Sequence, residues 1–576
     1  MSTHSNSTEE VSTQPSISLL LLESLTDKVT ELHSSQPTPD FCALLEVLAL
    51  LKDHFSSSPT HPESKVSLHF FEVMRKYLGE GLTMVDEWRS SGQAADLHIL
   101  VSQLRVFVRV FSSAVSAEAT DLYCLEECAP RWERLRERME VISPKNEESL
   151  RSDLRTLVSR MAVNEATLMD AFEYSNGTMR KIQAGMRSCY YFLFRTSARE
   201  RVRLGHTNLS GNAAIAYWNI LDSRFFSTLT AAQIASIHLN TVIFLPRTAP
   251  HILLSTSPSP PELLSQQSKH YLEQLSTDPP VSYSQHIDPA GLRIPVRVLS
   301  PYDLPLTDVP REEDRSWWSL CSGGNRAGGR DPKKLILHIH GGAFIGMSSK
   351  CHQNYTRQWA AEVDIPILSV DYRLSPEHRY PDALDDCWQT YMWILQYAKK
   401  YLGVTPEKIV IAGDSAGGNL ALGMVLRCIQ TFQRIPDGLL LTYPAVSLDT
   451  EAFTPSLCYT LEDPLLHYSF LPFVSSCYLY PADNPKSDPL VSPLMADSAD
   501  LEQFPPTRFL LCAVDPLLDN ALRMADRLLE AGVDVKVAKF EGMMHGLLNF
   551  DLPMGVQEAH ELVRKGALFL RELVYN

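Results

Sequence analysis

A chain of 576 residues, with 44 % hydrophobic and 21 % charged side chains and a formal net charge of −16, reads as a folded protein of two domains, or of one large domain with an extension. This acidic balance excludes nucleic acid as the main partner, because phosphate recognition needs clustered Lys and Arg, and it argues against tight electrostatic docking to anionic membranes. The eleven cysteines have no repeated close spacing. The nearest pair, Cys124 and Cys128, has no second pair or adjacent His to complete a zinc site, so reduced thiols are expected, with no metal and no other cofactor. The chain opens on polar residues without a basic n-region, and no run reaches about 18 apolar residues, so a cytosolic protein is expected, without secretory signal or transmembrane helix.

In chain order, residues 1–16 are rich in Ser, Thr and Glu and are expected to be a disordered tail. Residues 17–280 are read as a mostly helical domain. Ile17, Leu21, Leu25, Val29 and Leu32 form a stripe at helical spacing, and similar patterns cover 41–55, 65–78 and 97–115. The run Leu19-Leu20-Leu21-Leu22 is read as core-facing, the alternatives being an oligomer seam, which would make a homodimer, or a lipid-touching face. The mixture of Tyr190, Tyr191, Phe192, Phe194, Tyr217 and Trp218 with arginines is read as packing against the neighbouring domain. From Pro246 to Pro280 the Pro/Ser content indicates a linker or an extended wrap.

Residues 281–576 read differently. Short strands are expected at 281–284 and 294–299, and the Gly-rich 322–329 lacks the G-K-[ST] ending of a phosphate loop. Beyond it, apolar runs at 335–340, 365–370, 409–412, 439–443, 509–514 and 533–540 alternate with helical stretches at 383–401, 418–432, 520–531 and 555–574. Alternation at this spacing predicts an α/β fold with a mainly parallel sheet covered by helices on both faces, whose sites lie at the carboxyl ends of the strands.

Gly413-Asp414-Ser415-Ala416-Gly417 lies between one such strand and helix. Small flanking residues permit the strained turn that holds a serine hydroxyl clear of the sheet. A serine needs a base, and in this strand order the partners follow it as acid and then His. Three histidines follow Ser415. His467 precedes any later strand that could carry the acid, and His560 sits on a charged helix face. His545 follows the strand 533–540 and is the candidate base. Asp515, ending the strand 509–514, is the candidate acid that orients it. Asp519 is the alternative, better explained as a helix N-cap. Gly341 and Gly342 of His340-Gly341-Gly342-Ala343-Phe344 are expected to offer backbone N–H groups to an oxyanion, with that of Ala416 as third donor. His338 and His340 share a strand face, but nothing nearby completes a metal site with them.

The segments His340–Phe344, Asp371-Tyr372-Arg373-Leu374-Ser375-Pro376-Glu377, Gly413–Asn419 and Asp515-Pro516-Leu517-Leu518-Asp519 together resemble the hormone-sensitive lipase family of α/β-hydrolases. Tyr217-Trp218-Asn219-Ile220 and Leu299-Ser300-Pro301-Tyr302-Asp303-Leu304 are similar to parts of the animal lipase's helical N-terminal domain. The resemblance implies a serine esterase acting on acylglycerols or sterol esters, with a lipid-droplet surface as a partner. It also implies a cap over the site from the N-terminal domain and residues of about 447–505. Rival readings are a short-acyl carboxylesterase or deacetylase, and a non-catalytic ligand-binding module of the same fold. Two features depart from the animal lipase. The 480–501 stretch is short where that lipase carries a phosphorylated regulatory insertion, and the loop reads Gly-Gly-Ala in place of Gly-Gly-Gly.

Overall fold

The computed structural model describes residues 21–31, 39–57, 133–171, 177–205, 237–247, 293–307, 311–312, 332–449, 470–480, 487–551 and 555–576, with isolated positions between them. The chain divides into two units, one made of 1–131 with 450–461 and the other of 132–449 with 462–576. In the first unit a helix over 21–31 buries Leu22, Leu25 and Val29, and α1 (Pro39–Ser57) buries Leu44, Val47, Leu48 and Leu51. Both sets follow helical spacing, so each helix presents one apolar stripe to a core. The 1–16 tail, the helix expected over 97–115, that over 65–78 apart from Leu78, the strand at 281–284 and the Gly-rich loop 322–329 lie outside the described residues.

The second unit is built on one ten-stranded sheet in the order β1-β10-β9-β8-β7-β5-β6-β3-β2-β4. Its strands are β1 (Met139–Ile142), β2 (Leu239–Pro246), β3 (Arg293–Ser300), β4 (Arg311–Glu312), β5 (Lys334–Ile339), β6 (Ile367–Val370), β7 (Lys408–Asp414), β8 (Gly438–Thr442), β9 (Thr507–Val514) and β10 (Val535–Met544). From β1 through β6 all neighbours are parallel, and β3, β2 and β4 add an antiparallel edge. β6, β7 and β8 are buried almost throughout, as expected where helices cover both faces of a parallel sheet and the strands read as unbroken apolar runs. Connecting helices are α2 (Glu147–Ala171), α3 (Gly177–Leu193), α4 (Arg195–Gly205), α5 (Gln353–Val363), α6 (Asp382–Leu402), α7 (Ala416–Gln430), α8 (Phe470–Tyr478), α9 (Leu518–Glu530) and α10 (Gln557–Tyr575). No helix among the described residues is long and apolar enough to cross a membrane.

Two strands of this sheet come from the stretch read as a helical domain. β1 pairs in parallel with β10, and β2 runs antiparallel to β3 over Leu239–Pro246. The division falls near residue 131, whereas the sequence reading places it at 281. β1 was hidden by its length of four residues and a half-exposed pattern, and β2 by its isolation between masking helical and Pro-rich stretches. Arg247, just past β2, ties this edge to the core through Asp386 of α6 at 2.9 Å, a carboxylate it shares with Arg373.

The aromatic–arginine patch is packed only in part. Tyr191 is buried and donates to Asp170 at 2.7 Å, and Trp218 stacks on Phe470. Phe192, Leu193 and Phe194 are 62 %, 73 % and 54 % exposed.

Helix α10 lies across α5, where Trp359 donates its indole N–H to the Val563 carbonyl at 2.8 Å. A Cβ on Gly566 would sit 2.7 Å from the Trp359 ring. Alanine normally stabilises a helix interior by about 1 kcal/mol over glycine, but the fully buried ring cannot retreat, and overpacking costs about 1–3 kcal/mol. Gly566→Ala is therefore expected to lower stability, read as a lower urea midpoint; a raised midpoint would refute this packing.

Candidate active site

The nucleophile elbow forms because β7 runs directly into α7 with Ser415 between them. Ser415 takes φ 54° and ψ −119°, a conformation that L residues rarely adopt and that persists only where the surroundings fix it. Its N–H donates to the Thr442 carbonyl at 2.9 Å, and its own carbonyl accepts from Gly418, Asn419 and Ala445. A Cβ on Gly413 would collide with the Gly417 carbonyl, and one on Gly417 with that of Ile339, so both flanking glycines are sterically required. Asn419 ties the start of α7 to the carbonyls of Ala445 and Val491 at 2.7 and 2.9 Å.

Ser415, His545 and Asp515 meet as the sequence order suggests. His545 Nε2 lies 2.9 Å from Ser415 Oγ, and its Nδ1 lies 2.8 Å from Asp515 Oδ2. A carboxylate can only accept, so Nδ1 carries the proton and Nε2 faces the serine as acceptor. Asp515 Oδ1 accepts the Leu517 N–H at 2.8 Å, which fixes the carboxylate. β10 continues past its irregularity at Phe540 to Met544, so His545 stands at the strand end itself. Asp519 is not the N-cap of α9; it is the second residue of the helix, which Leu517 precedes, and is buried. His560 is a half-exposed helix residue 3.4 Å from Asp551.

The oxyanion loop departs from expectation at one residue. The Gly341 N–H donates to Asp414 Oδ1 at 2.9 Å and is not free for substrate. The N–H groups this loop leaves available for an oxyanion are those of Gly342 and Ala343, which have no partner among the described residues, beside that of Ala416 at the start of α7. Gly342, Ala343 and Phe344 all have positive φ (116°, 54° and 61°), and a left-handed turn of this kind gathers backbone N–H groups into a concavity suited to an anion. Sequence reasoning missed Ala343 because the partner of Gly341 lies 73 residues away. Tyr372 holds the loop from behind by donating to the His340 carbonyl at 2.8 Å, its ring stacked on His340. A Cβ on Gly341 would stand 2.5 Å from Asp414 Oδ2 and 2.9 Å from the Asp414 carbonyl.

Asp414 is fully enclosed. It accepts from Gly341 and from the Tyr355 hydroxyl at 2.9 Å, and its second oxygen faces His352 Nε2 at 3.6 Å, an ion pair rather than a hydrogen bond. Burial is the largest influence and opposes its charge, but His352, His338 and the Tyr355 hydroxyl together outweigh it, and the carboxyl is held down at about 2. Both ring nitrogens of His338 have partners: Nδ1 meets Ser369 Oγ at 2.7 Å and Nε2 meets Tyr355 Oη at 2.8 Å, and burial pushes the ring down to about 3.

A second carboxylate faces the site. Asp463 is buried, accepts the N–H groups of Leu465 and Leu466 on Oδ1 at 2.9 and 2.7 Å, and leaves Oδ2 without a hydrogen bond. Its segment packs on the catalytic loop: the Leu465 side chain occupies the space that a Cβ on Gly546 would need. Burial raises the Asp463 carboxyl to about 6. His545 is shifted upward in spite of burial, because Asp515, and then Asp463 and Asp414, favour its charged form.

A family model described as alpha/beta hydrolase fold matches residues 336–549. The hormone-sensitive lipase of Bos taurus is 34 % identical over 281 residues, covering 47 % of this chain and 34 % of the lipase. The chain therefore spans about a third of the length of the curated lipases it matches. Carboxylesterase NlhH of Mycobacterium tuberculosis is 31 % identical over 284 residues, which is 84 % of that enzyme and 49 % of this chain. Among solved structures, a thermostable carboxylesterase cloned from a metagenomic library covers 60 % of this chain and 93 % of its own, at 24 % identity and a TM-score of 0.45.

Three outcomes test the geometry. Gly341→Ala should keep the fold and lower kcat by on the order of 10²-fold, the effect of one misplaced oxyanion donor; unchanged turnover would show that the loop does not hold the oxyanion. The base form of His545 is the neutral ring, so activity rises as pH climbs through its upward-shifted pKa, and the acid limb should lie above 6.5. Asp463→Asn keeps a side-chain oxygen that accepts both backbone N–H groups but removes a charge favouring the protonated ring, so the limb should move to lower pH. A kcat/KM–pH profile identical to wild type would contradict that role.

Proposed function

The chain belongs to the hormone-sensitive lipase family of α/β-hydrolases, and on that footing we propose that it hydrolyses carboxylic esters of lipids through an acyl-serine intermediate. The observation that carries this reading is the continuous relay from Ser415 Oγ through His545 to Asp515, at 2.9 and 2.8 Å, on a strained elbow.

Ser415 Oγ attacks the ester carbonyl while His545 Nε2 takes its proton. The carbonyl oxygen becomes an oxyanion held by the N–H groups of Gly342, Ala343 and Ala416. These dipoles are fixed before the substrate arrives, so little reorganisation is needed as charge develops. Collapse of the tetrahedral adduct breaks the bond to the alcohol, which leaves with the proton from His545. Water, deprotonated by the same ring, then attacks the acyl-serine and releases the fatty acid. Asp515 keeps its own proton-free state throughout and stabilises the transient imidazolium.

Likeness to the lipase supports acylglycerols and sterol esters as substrates, met by a cytosolic enzyme at a lipid surface such as that of a droplet. A short-acyl carboxylesterase is the second reading, favoured by the match to most of the length of Carboxylesterase NlhH. Ser415→Ala should leave a folded protein with turnover of p-nitrophenyl butyrate reduced by on the order of 10⁴-fold or more; near-normal turnover would remove the serine mechanism. A hydrolysis profile across acyl length, with oleoyl glycerides and sterol esters as emulsions beside butyryl esters as monomers, separates the two substrate classes. Activity confined to the butyryl esters would reject the lipase reading.

A further inference from the structure

Away from the catalytic residues, α2, α3 and α4 pack around Ala162, Val163, Ala166, Tyr191, Ala198 and Val202. Asp170 binds this group together, accepting from Tyr191 and pairing with Arg187 at 3.2 Å and Arg201 at 2.7 Å. On the outer side of α2 and α4 the pattern is different. Arg155, Thr156 and Ser159 of α2 face Arg195, Thr196 and Arg199 of α4 across an open cavity of about 350 Å³. None of these three arginines has a carboxylate partner among the described residues, although the chain carries 68 acidic side chains against 52 basic ones. Ser159 is 4 % exposed, lines the cavity, and has a hydroxyl with no hydrogen-bond partner.

Converging like charges repel, and a buried hydroxyl without a partner is costly; both conditions are relieved by one anionic oxygen ligand. Guanidinium groups present forked donors matched to phosphate, and the hydroxyls of Ser159 and Thr196 add further donors, that of Thr156 being given to the Ser152 carbonyl. We propose that Arg155, Arg195 and Arg199, with Ser159 at its floor, form a binding site for a phosphate group. It is a local exception to the acidic balance of the chain. The exposed Phe192, Leu193 and Phe194 directly precede Arg195, whose guanidinium lies 5.4 Å from the centre of the Phe192 ring. Apolar side chains beside a cationic site give two sources for that phosphate, a phospholipid head group or a free phosphoester.

The full chain is titrated with glycerol 3-phosphate by calorimetry and mixed with phosphatidylcholine vesicles with and without phosphatidic acid. Binding in the first arm identifies a soluble ligand, and selective binding to the phosphatidic acid vesicles identifies a lipid one; either supports the site. Replacing Arg155, Arg195 and Arg199 together by Gln should weaken that binding by roughly tenfold or more, the loss of charge-assisted hydrogen bonds. Arg151→Gln should leave it unchanged, since Arg151 lies on the same helix but pairs with Glu147. The proposal is overturned if neither arm shows binding, if the triple variant binds like wild type, or if Arg151→Gln weakens binding equally. Near-ultraviolet circular dichroism of each variant separates loss of the site from loss of the fold.

Discussion

The buried carboxylate of Asp414 connects the parts on which catalysis relies. It immediately precedes the strained serine and, through the Gly341 N–H, fixes the start of the loop that bears the oxyanion donors. An ionised carboxylate in so enclosed a place is costly unless hydrogen bonds and a counter-charge answer it. Here Gly341, Tyr355 and His352 do so together. The elbow and the oxyanion loop come from neighbouring strands β7 and β5, and Asp414 converts that adjacency into a fixed distance between nucleophile and donors. The two halves of the site therefore cannot drift independently.

Three carboxylates surround the catalytic machinery, and their surroundings divide the labour. Asp414 is answered by donors and a cation and stays ionised far into acid. Asp515 is aligned by one backbone N–H and carries the imidazole. Asp463 has two backbone donors on a single oxygen and burial on the other, so its charge changes near pH 6. Identical chemistry thus yields an anchor, an orienting acid and a pH-dependent neighbour, according to what each oxygen touches.

The sheet centre and the triad were legible because their signals are local: β-branched apolar runs, a glycine-flanked serine, an aspartate at a strand end and one suitably placed histidine. What escaped the sequence depends on distant partners. Gly341 looked like an oxyanion donor until Asp414, 73 residues on, was seen to take its N–H. Asp463 carries no local signal in the sequence, because its neighbours Asp515 and His545 are brought close only by folding. Helix α5 carries polar and aromatic residues mixed along QNYTRQWAAEV, which blurs the helical period even though Tyr355, Trp359 and Val363 face inward. β1 and β2 lie in a stretch of helical character, and only pairing with β10 and β3 makes them strands.

The sheet edge at β1 has a consequence for how the molecule is made. Met139 is paired with Val537, so during synthesis this strand has no sheet partner until 398 further residues have followed it. Such distant pairing slows folding and leaves a strand edge open meanwhile. β10 therefore closes an edge begun 398 residues before it. His545 sits at the end of that same closing strand, so the sheet edge and the relay from His545 to Ser415 are completed in one late event.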